Sequence, residues 1–212
     1  MFGLEQKRES LIANLKTEGY IKTKRVEYAL RKIPRENFIP AEMRDSAYSD
    51  HPLPIGYGQT ISAPHMVAIM TELLEPKKTD KALEIGTGSG YQSAVLSVLV
   101  RKVYSIEVFP ELTEFAKSNL KKTGIRNVEV VSGDGSKGLP SKAPFDKIIV
   151  TCAIPKVIFN SLVSQLKEGG IIVAPVGEPY GIQTLTAGKK IRGKLKTKEY
   201  FGCVFVPLRS TR

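Results

Sequence analysis

The sequence predicts an α/β fold: a doubly wound, mostly parallel sheet with helices on both faces, antiparallel C-terminal strands and a helical extension at the N-terminus. Three observations carry this. From residue 81 onward, short apolar runs alternate with longer segments of helical period, the pattern of a parallel sheet built from βα units. The first run, Ala82-Leu83-Glu84-Ile85, breaks into glycines at alternate positions, Gly86, Gly88 and Gly90, and an apolar helical stretch from Ser93 to Val100 follows. That is the strand, tight turn and helix start with which Rossmann-like sheets bring backbone amides close to a ligand. Finally, segments 182–187 and 197–207 read as antiparallel strands.

The elements follow in order. Residues 4–18 and 22–33 read as two amphipathic helices, stopped near Gly19 and at Pro34. Residues 34–62 carry Pro34, Pro40, Pro52, Pro54, Gly56 and Gly58 and read as an ordered loop, long enough for a functional role. Pro64, in a first-turn position, opens a helix to Leu74. Strand 81–85 then leads to helix 90–100, strand 102–107 to helix 110–122, and strand 128–132 through a loop to strand 145–151, helix 156–167 and strand 171–176. Gly124 and the Gly169-Gly170 pair fall where helices should stop. The chain reads as one domain, 1–212, with N-terminal helices and a substrate loop in 1–63, a ligand-binding core in 64–180 and C-terminal strands in 181–212. In such a sheet, ligands bind outside the carboxyl ends of the strands, where strand order reverses.

Composition removes several classes. A hydrophobic share of 42% supports a real core, yet no apolar run approaches the roughly 18 residues of a membrane span, so no membrane association is expected. The N-terminus lacks a signal-peptide pattern, and the expected compartment is the cytoplasm. Two cysteines, Cys152 and Cys203, make no disulfide framework, and two histidines, His51 and His65, are too few for a zinc site; no metal is expected. The net charge of +11 raises nucleic-acid binding as an alternative. The densest basic cluster, however, is Lys189, Lys190, Arg192, Lys194, Lys196 and Lys198, with Ile191 and Leu195 between, which fits the solvated face of a C-terminal hairpin.

Three acids fall at strand ends: Glu84 near the end of the first, Glu107 closing the second, and Asp134 after the third, within Gly133-Asp134-Gly135. The reading puts all three on one edge of the sheet. A carboxylate after the second strand can accept both hydroxyls of a ribose. One after the third can accept an exocyclic adenine amine, and one beside the first turn suits an ammonium or orients the turn. A pyrophosphate-binding turn reads G-x-G-x-x-G, but here the third glycine comes one residue early. E-x-G-x-G-x-G instead resembles the first motif of the S-adenosylmethionine (SAM) methyltransferases. On this reading Glu84, Gly86, Thr87, Gly88, Glu107, Gly133, Asp134 and Gly135 bind SAM, with S-adenosylhomocysteine as product. The alternative for each acid alone is a helix or turn cap.

The acceptor is read next. Base-amine methyltransferases need an Asn/Asp-Pro-Pro-aromatic turn after the fourth strand. Here that place reads Val150-Thr151-Cys152-Ala153-Ile154-Pro155, so no nucleic-acid substrate is expected. Upstream stands Asp50-His51-Pro52-Leu53-Pro54-Ile55-Gly56-Tyr57-Gly58-Gln59-Thr60-Ile61-Ser62-Ala63-Pro64-His65-Met66. With Gly133-Asp134-Gly135-Ser136-Lys137-Gly138, Pro175-Val176-Gly177, Gln183 and Phe205-Val206-Pro207-Leu208, it closely resembles the protein-L-isoaspartate O-methyltransferases over nearly the whole chain. The resemblance implies repair of isoaspartyl-containing proteins and peptides. The free α-carboxylate of the abnormal linkage is methylated, and the ester collapses without the enzyme to a succinimide that hydrolyses partly to normal aspartate.

That chemistry needs neither a general base nor a metal, because the acceptor is already ionised at neutral pH, with a pKa near ~3.5. The resemblance puts the active-site residue at Ser62, whose hydroxyl can donate to the acceptor carboxylate, and substrate contacts at Thr60, Ile61, Val176 and Gln183. The alternative for Ser62 is to cap the helix begun by Pro64. His65 reads at least as well as a structural histidine as a substrate contact, His51 as a loop residue and Cys152 as packing or backbone-only. Two positions depart from the family pattern: Ile154 stands before the proline after the fourth strand, and Val204 stands where several relatives have an arginine. A SAM-binding module without catalysis is the remaining rival.

Overall fold

The computed structural model describes residues 3–210. Helix α1 (Leu4–Thr17) and helix α2 (Lys24–Lys32) open the chain. The side chain of Thr23 caps α2 by accepting the N–H of Val26, and the carboxylate of Glu72 anchors the N–H groups of Lys22 and Thr23 at 2.9 and 2.8 Å. Residues 34–62, expected as a loop, are more ordered than that: they hold two 3-10 turns (Arg35–Phe38 and Ala41–Ser46) and a hairpin of β1 (Leu53–Gly56) and β2 (Gln59–Ile61).

The core then follows the expected alternation: α3 (Pro64–Leu74), β3 (Lys81–Ile85), α4 (Tyr91–Leu99), β4 (Lys102–Glu107), α5 (Pro110–Lys122), β5 (Val128–Ser132) and β6 (Phe145–Val150). Helix α6 (Asn160–Gln165) is shorter than predicted, and strand β7 (Leu166–Val176) correspondingly longer. Lys156 takes φ +59° behind Pro155, which delays the helix. The Gly169-Gly170 pair lies inside β7 rather than ending a helix. A Cβ at Gly170 would meet the carbonyl oxygen of Asp146 at 2.9 Å, so glycine lets β7 pass close to β6. Strands β8 (Gln183–Ile191) and β9 (Lys194–Cys203) finish the sheet.

The sheet order is β5-β4-β3-β6-β7-β8-β9, parallel through β7 and antiparallel from β7 to β9. Order reverses between β3 and β6. The two faces are covered unequally. One carries the large cluster in which Ala82, Val103 and Ile149 meet α1 to α5, including Leu15, Leu30, Leu74, Leu96 and Leu112. The other face carries Leu83, Ile85, Ile148, Val150 and Ile172 under Leu162 of α6. The N-terminal layer docks through Phe38 and Arg35, which sit 5.6 and 5.1 Å from the ring of Tyr91 at the start of α4. The basic hairpin pairs Lys189 with Lys196 and Ile191 with Lys194; Lys190 departs from the solvated face, its Nζ donating to the carbonyls of Val163 and Leu166 at 2.8 Å.

Candidate active site

The carboxyl ends of β3, β4 and β6 converge where strand order reverses. Gly86 leaves β3 with φ +94°. Thr151, the residue after β6, holds it there: its N–H donates to the carbonyl of Ile85 at 2.9 Å and its hydroxyl to that of Gly86 at 2.5 Å. A Cβ at Gly86 would stand 2.8 Å from Thr151 Oγ1, so any side chain would displace the Thr151 hydroxyl that holds the turn.

Glu107 lies across this turn. Its Oε2 accepts the N–H of Gly88 at 2.8 Å, and Oε1 accepts those of Val108 and Phe109 at 2.9 and 3.1 Å. It also lines a cleft with Gly86, Gly88, Phe109 and Gly135. Each carboxylate oxygen can accept twice, so a ligand hydroxyl still finds room. Gly133 donates its N–H to the carbonyl of Glu107 at 2.8 Å, bringing the loop after β5 alongside. Asp134 caps that loop, its Oδ1 accepting the N–H and hydroxyl of Ser136 at 2.9 and 2.7 Å. A Cβ at Gly135 would fall 2.4 Å from Ile85 Cγ2, so only glycine lets this loop close on β3.

Glu84 corrects the expectation of three acids on one edge. It lies one residue below the rim and is fully buried. Strand alternation turns it with Ala82 toward α4. There the hydroxyls of Ser93 and Ser105 donate to Oε2, the latter at 2.8 Å. Oε1 has no partner among the described residues. Burial pushes the carboxyl up to about 8. Glu84 nevertheless lines a small hollow with Gly86, Thr87, Gly88, Thr60, Ile61 and Ser62. Thr87 is fixed there by its hydroxyl, 2.6 Å from that of Ser105.

Ser62 and Thr60 face two ways. Both line this hollow, and both also line a groove of about 1080 Å³ that runs past Met66, Ile69, Tyr180 and Phe205. Ser62 does not cap helix α3. The N-cap is Ala63, and Asp50 Oδ1 accepts the N–H of His65 at 2.9 Å. The same oxygen faces His65 Nδ1 at 3.0 Å. The Ser62 hydroxyl makes no hydrogen bond among the described residues.

Two expected substrate contacts lie elsewhere. Gln183 is fully buried: its Nε2 donates to the carbonyls of Glu178 and Gly181 at 2.9 and 2.8 Å, and its Oε1 accepts the N–H of Phe205 at 2.8 Å. It braces the groove from behind. Val176 lines a separate hollow with Val157 and Leu195. Cys152 is buried against the cleft wall, with its thiol pushed up by burial.

The sequence does not disclose the roles of Thr151, Asp50 and the tail. Beyond β9 the tail crosses the rim: Val206 accepts the N–H of Ala153 at 2.8 Å and Leu208 donates to its carbonyl at 2.9 Å. Residues 206–209 thereby become a wall of the cleft. The hairpin β1–β2 closes the other side, where the rings of Tyr57 and Phe109 lie 6.0 Å apart. None of these carries a spacing signal, because each works through contacts between residues far apart in sequence.

Comparison with known proteins bears on this geometry. The family model described as protein-L-isoaspartate(D-aspartate) O-methyltransferase matches residues 6–212. A protein-L-isoaspartate O-methyltransferase of Methanopyrus kandleri is 51% identical over 205 residues, covering 95% of this chain and 90% of its own. One from Ignicoccus hospitalis is 53% identical over 208 residues, covering 97% and 98%. Among solved structures, a protein-L-isoaspartate O-methyltransferase-type protein of Plasmodium falciparum, in complex with S-adenosyl-L-homocysteine, superposes with a TM-score of 0.84 at 27% identity, covering 96% of this chain and 99% of that one.

Proposed function

The chain belongs to the protein-L-isoaspartate(D-aspartate) O-methyltransferase family, and from that premise we propose that it transfers the methyl group of SAM to the free α-carboxylate of L-isoaspartyl residues in damaged proteins and peptides. The products are the methyl ester and S-adenosylhomocysteine. The observation that carries this reading is the unbonded hydroxyl of Ser62, on the wall shared by the glycine-turn hollow and the wide groove.

The residues around the turn fit the cofactor. Gly86, Gly88 and Gly135 leave the backbone bare where a Cβ would obstruct it. The unpartnered Oε1 of Glu84 lacks a donor, which an α-ammonium supplies. Glu107, on the cleft wall, suits a ribose hydroxyl, with Thr87 and Gly88 in the adjoining hollow, and Asp134 would take the adenine amine from the loop that Gly133 ties to the Glu107 carbonyl. Bound there, SAM supplies a methyl carbon made electrophilic by its sulfonium.

The rest of the work is placement. The groove takes an extended peptide, with Thr60 and the backbone of Ile61 beside Ser62, and Gln183 holding Phe205 of its wall from behind. The acceptor carboxylate is ionised at neutral pH, with a pKa near ~3.5, so no residue need remove a proton. Ser62 donates to one of its oxygens and leaves the other free to attack. Alignment of this kind contributes up to ~7–11 kcal/mol in favourable cases. The tail and the Tyr57–Phe109 contact narrow the approach of water. The two thiols form no disulfide, which supports cytoplasmic residence.

The test is direct. The protein is incubated with methyl-labelled SAM and either an isoaspartyl peptide or its aspartyl twin. Base-labile label on the isoaspartyl peptide alone is expected. Equal labelling of both peptides, or of neither, overturns the reading.

A further inference from the structure

The wide groove carries very little charge. Of the described residues that line it, none is acidic, and Arg209 alone holds a fixed positive charge; His65 is engaged by Asp50 at 3.0 Å. Arg209 also lines the cleft beside Glu107 and Phe109. It therefore stands at the junction of cleft and groove, in company with Thr60 and Thr151, and it is the one charged residue that lines both.

Its position is fixed from two sides. The main chain just before it is pinned to Ala153 through Val206 and Leu208. Its Nη2 donates to the Tyr180 hydroxyl at 2.9 Å. Tyr180 sits in the turn between β7 and β8, the same turn that buried Gln183 ties to Phe205. The partner is a neutral phenol, and no carboxylate forms an ion pair with Arg209 among the described residues. A guanidinium has five donors in a planar fork, and a single neutral contact leaves most of them available to a carboxylate.

A normal peptide brings no charge from its main chain into this groove. An isoaspartyl linkage carries its one carboxylate as the displaced α-carboxylate, at a different distance from the backbone than the side-chain carboxylate of a normal aspartate. We propose that Arg209, oriented by Tyr180, is a substrate-binding residue that receives this carboxylate at the junction and selects an ionised acceptor. The inference rests on the proposed function and names the charge by which that site recognises its substrate. Arginine suits the task because its planar fork can donate to the oxygen that Ser62 also holds while the other stays free to attack, whereas lysine offers a point charge.

The experiment compares an isoaspartyl peptide with its α-amide twin, which has the same shape and no charge at the acceptor. Both are titrated calorimetrically into the protein saturated with S-adenosylhomocysteine, and methyl transfer to the acid form is measured in parallel. The wild type should bind the acid more tightly than the amide. In Arg209→Gln that preference should shrink roughly ten- to hundredfold, the scale of a hydrogen bond to a charged group, with unchanged S-adenosylhomocysteine affinity. Arg209→Lys should restore part of it, and Tyr180→Phe should lose part of it. Wild-type preference retained in Arg209→Gln overturns the inference while leaving the proposed function standing. So does a loss matched by an equal loss of S-adenosylhomocysteine affinity. A wild type that methylates no isoaspartyl peptide overturns the proposed function and this inference together.

Discussion

Asp50 accepts the backbone N–H of His65 at 2.9 Å and thereby takes the capping position that Ser62 would otherwise fill. Helix α3 needs a cap because its first N–H groups have no partner within the helix. With Asp50 supplying it from fifteen residues away, the Ser62 hydroxyl stays free on the wall between hollow and groove. On the proposed reading, a structural duty and a chemical one are thus separated onto two residues.

Ser62→Ala should fold and bind S-adenosylhomocysteine as the wild type does. Its kcat/KM for an isoaspartyl peptide should fall roughly ten- to hundredfold, the scale of one hydrogen bond to a charged group. Calorimetry and steady-state kinetics check the two halves. Unchanged turnover removes Ser62 from the mechanism.

Asp50→Ala should lower stability by about 1 kcal/mol, the usual cost of losing an N-cap, which for a chain of this length moves Tm by about 2–4 °C. Asp50→Asn should recover most of the loss, because an amide oxygen also caps. Thermal unfolding of the three proteins checks this; equal loss in both variants would assign the effect to charge instead of capping.

How far the sequence alone reaches is clearest at β3 and its neighbours. The Ala82–Gly90 turn and the βα alternation after it are local signals: apolar periodicity, glycine spacing and an acid at a strand end. The parallel core follows them closely. Glu84 shows where such signals stop. Its place in the chain fixes the strand but not the depth, and only the packing of α4 brings Ser93 onto its carboxylate. The hairpin Leu53–Ile61 hid behind its prolines and glycines, although Gly56-Tyr57-Gly58 is the turn that makes it. Strand β9 was expected to run to residue 207 but ends at Cys203, because buried Gln183 captures the N–H of Phe205 and Ala153 draws the tail across the rim. Those contacts join residues far apart in sequence and leave no local pattern.

Glu84 gives a pH dependence. Its carboxyl is pushed from 4.5 up to about 8 by burial, so the ligand-free native state keeps a proton that the unfolded chain has released. Where the native state binds more protons, stability falls as pH rises. The contribution therefore declines between about pH 4.5 and about pH 8 and levels off above. Glu84→Gln should flatten that slope in denaturant titrations at pH 5, 6.5 and 8 relative to wild type. Parallel slopes in both proteins would show that Glu84 ionises normally.

Gln183→Leu should leave the Glu178 and Gly181 carbonyls and the Phe205 N–H without their partner. Unmet buried groups cost roughly 1–3 kcal/mol, and the turn that carries Tyr180 should loosen. The KM for peptide should rise while S-adenosylhomocysteine affinity holds. A peptide KM equal to wild type would mean that Gln183 braces nothing the substrate touches.

The central claim is geometric, and a crystal structure with S-adenosylhomocysteine and an isoaspartyl peptide measures it. The account predicts S-adenosylhomocysteine across Gly86 and Glu107, the peptide in the wide groove, and Ser62 Oγ within about 2.5–3.0 Å of an acceptor carboxylate oxygen. An acceptor carboxylate bound away from Ser62, or a peptide lying outside the groove, would contradict it.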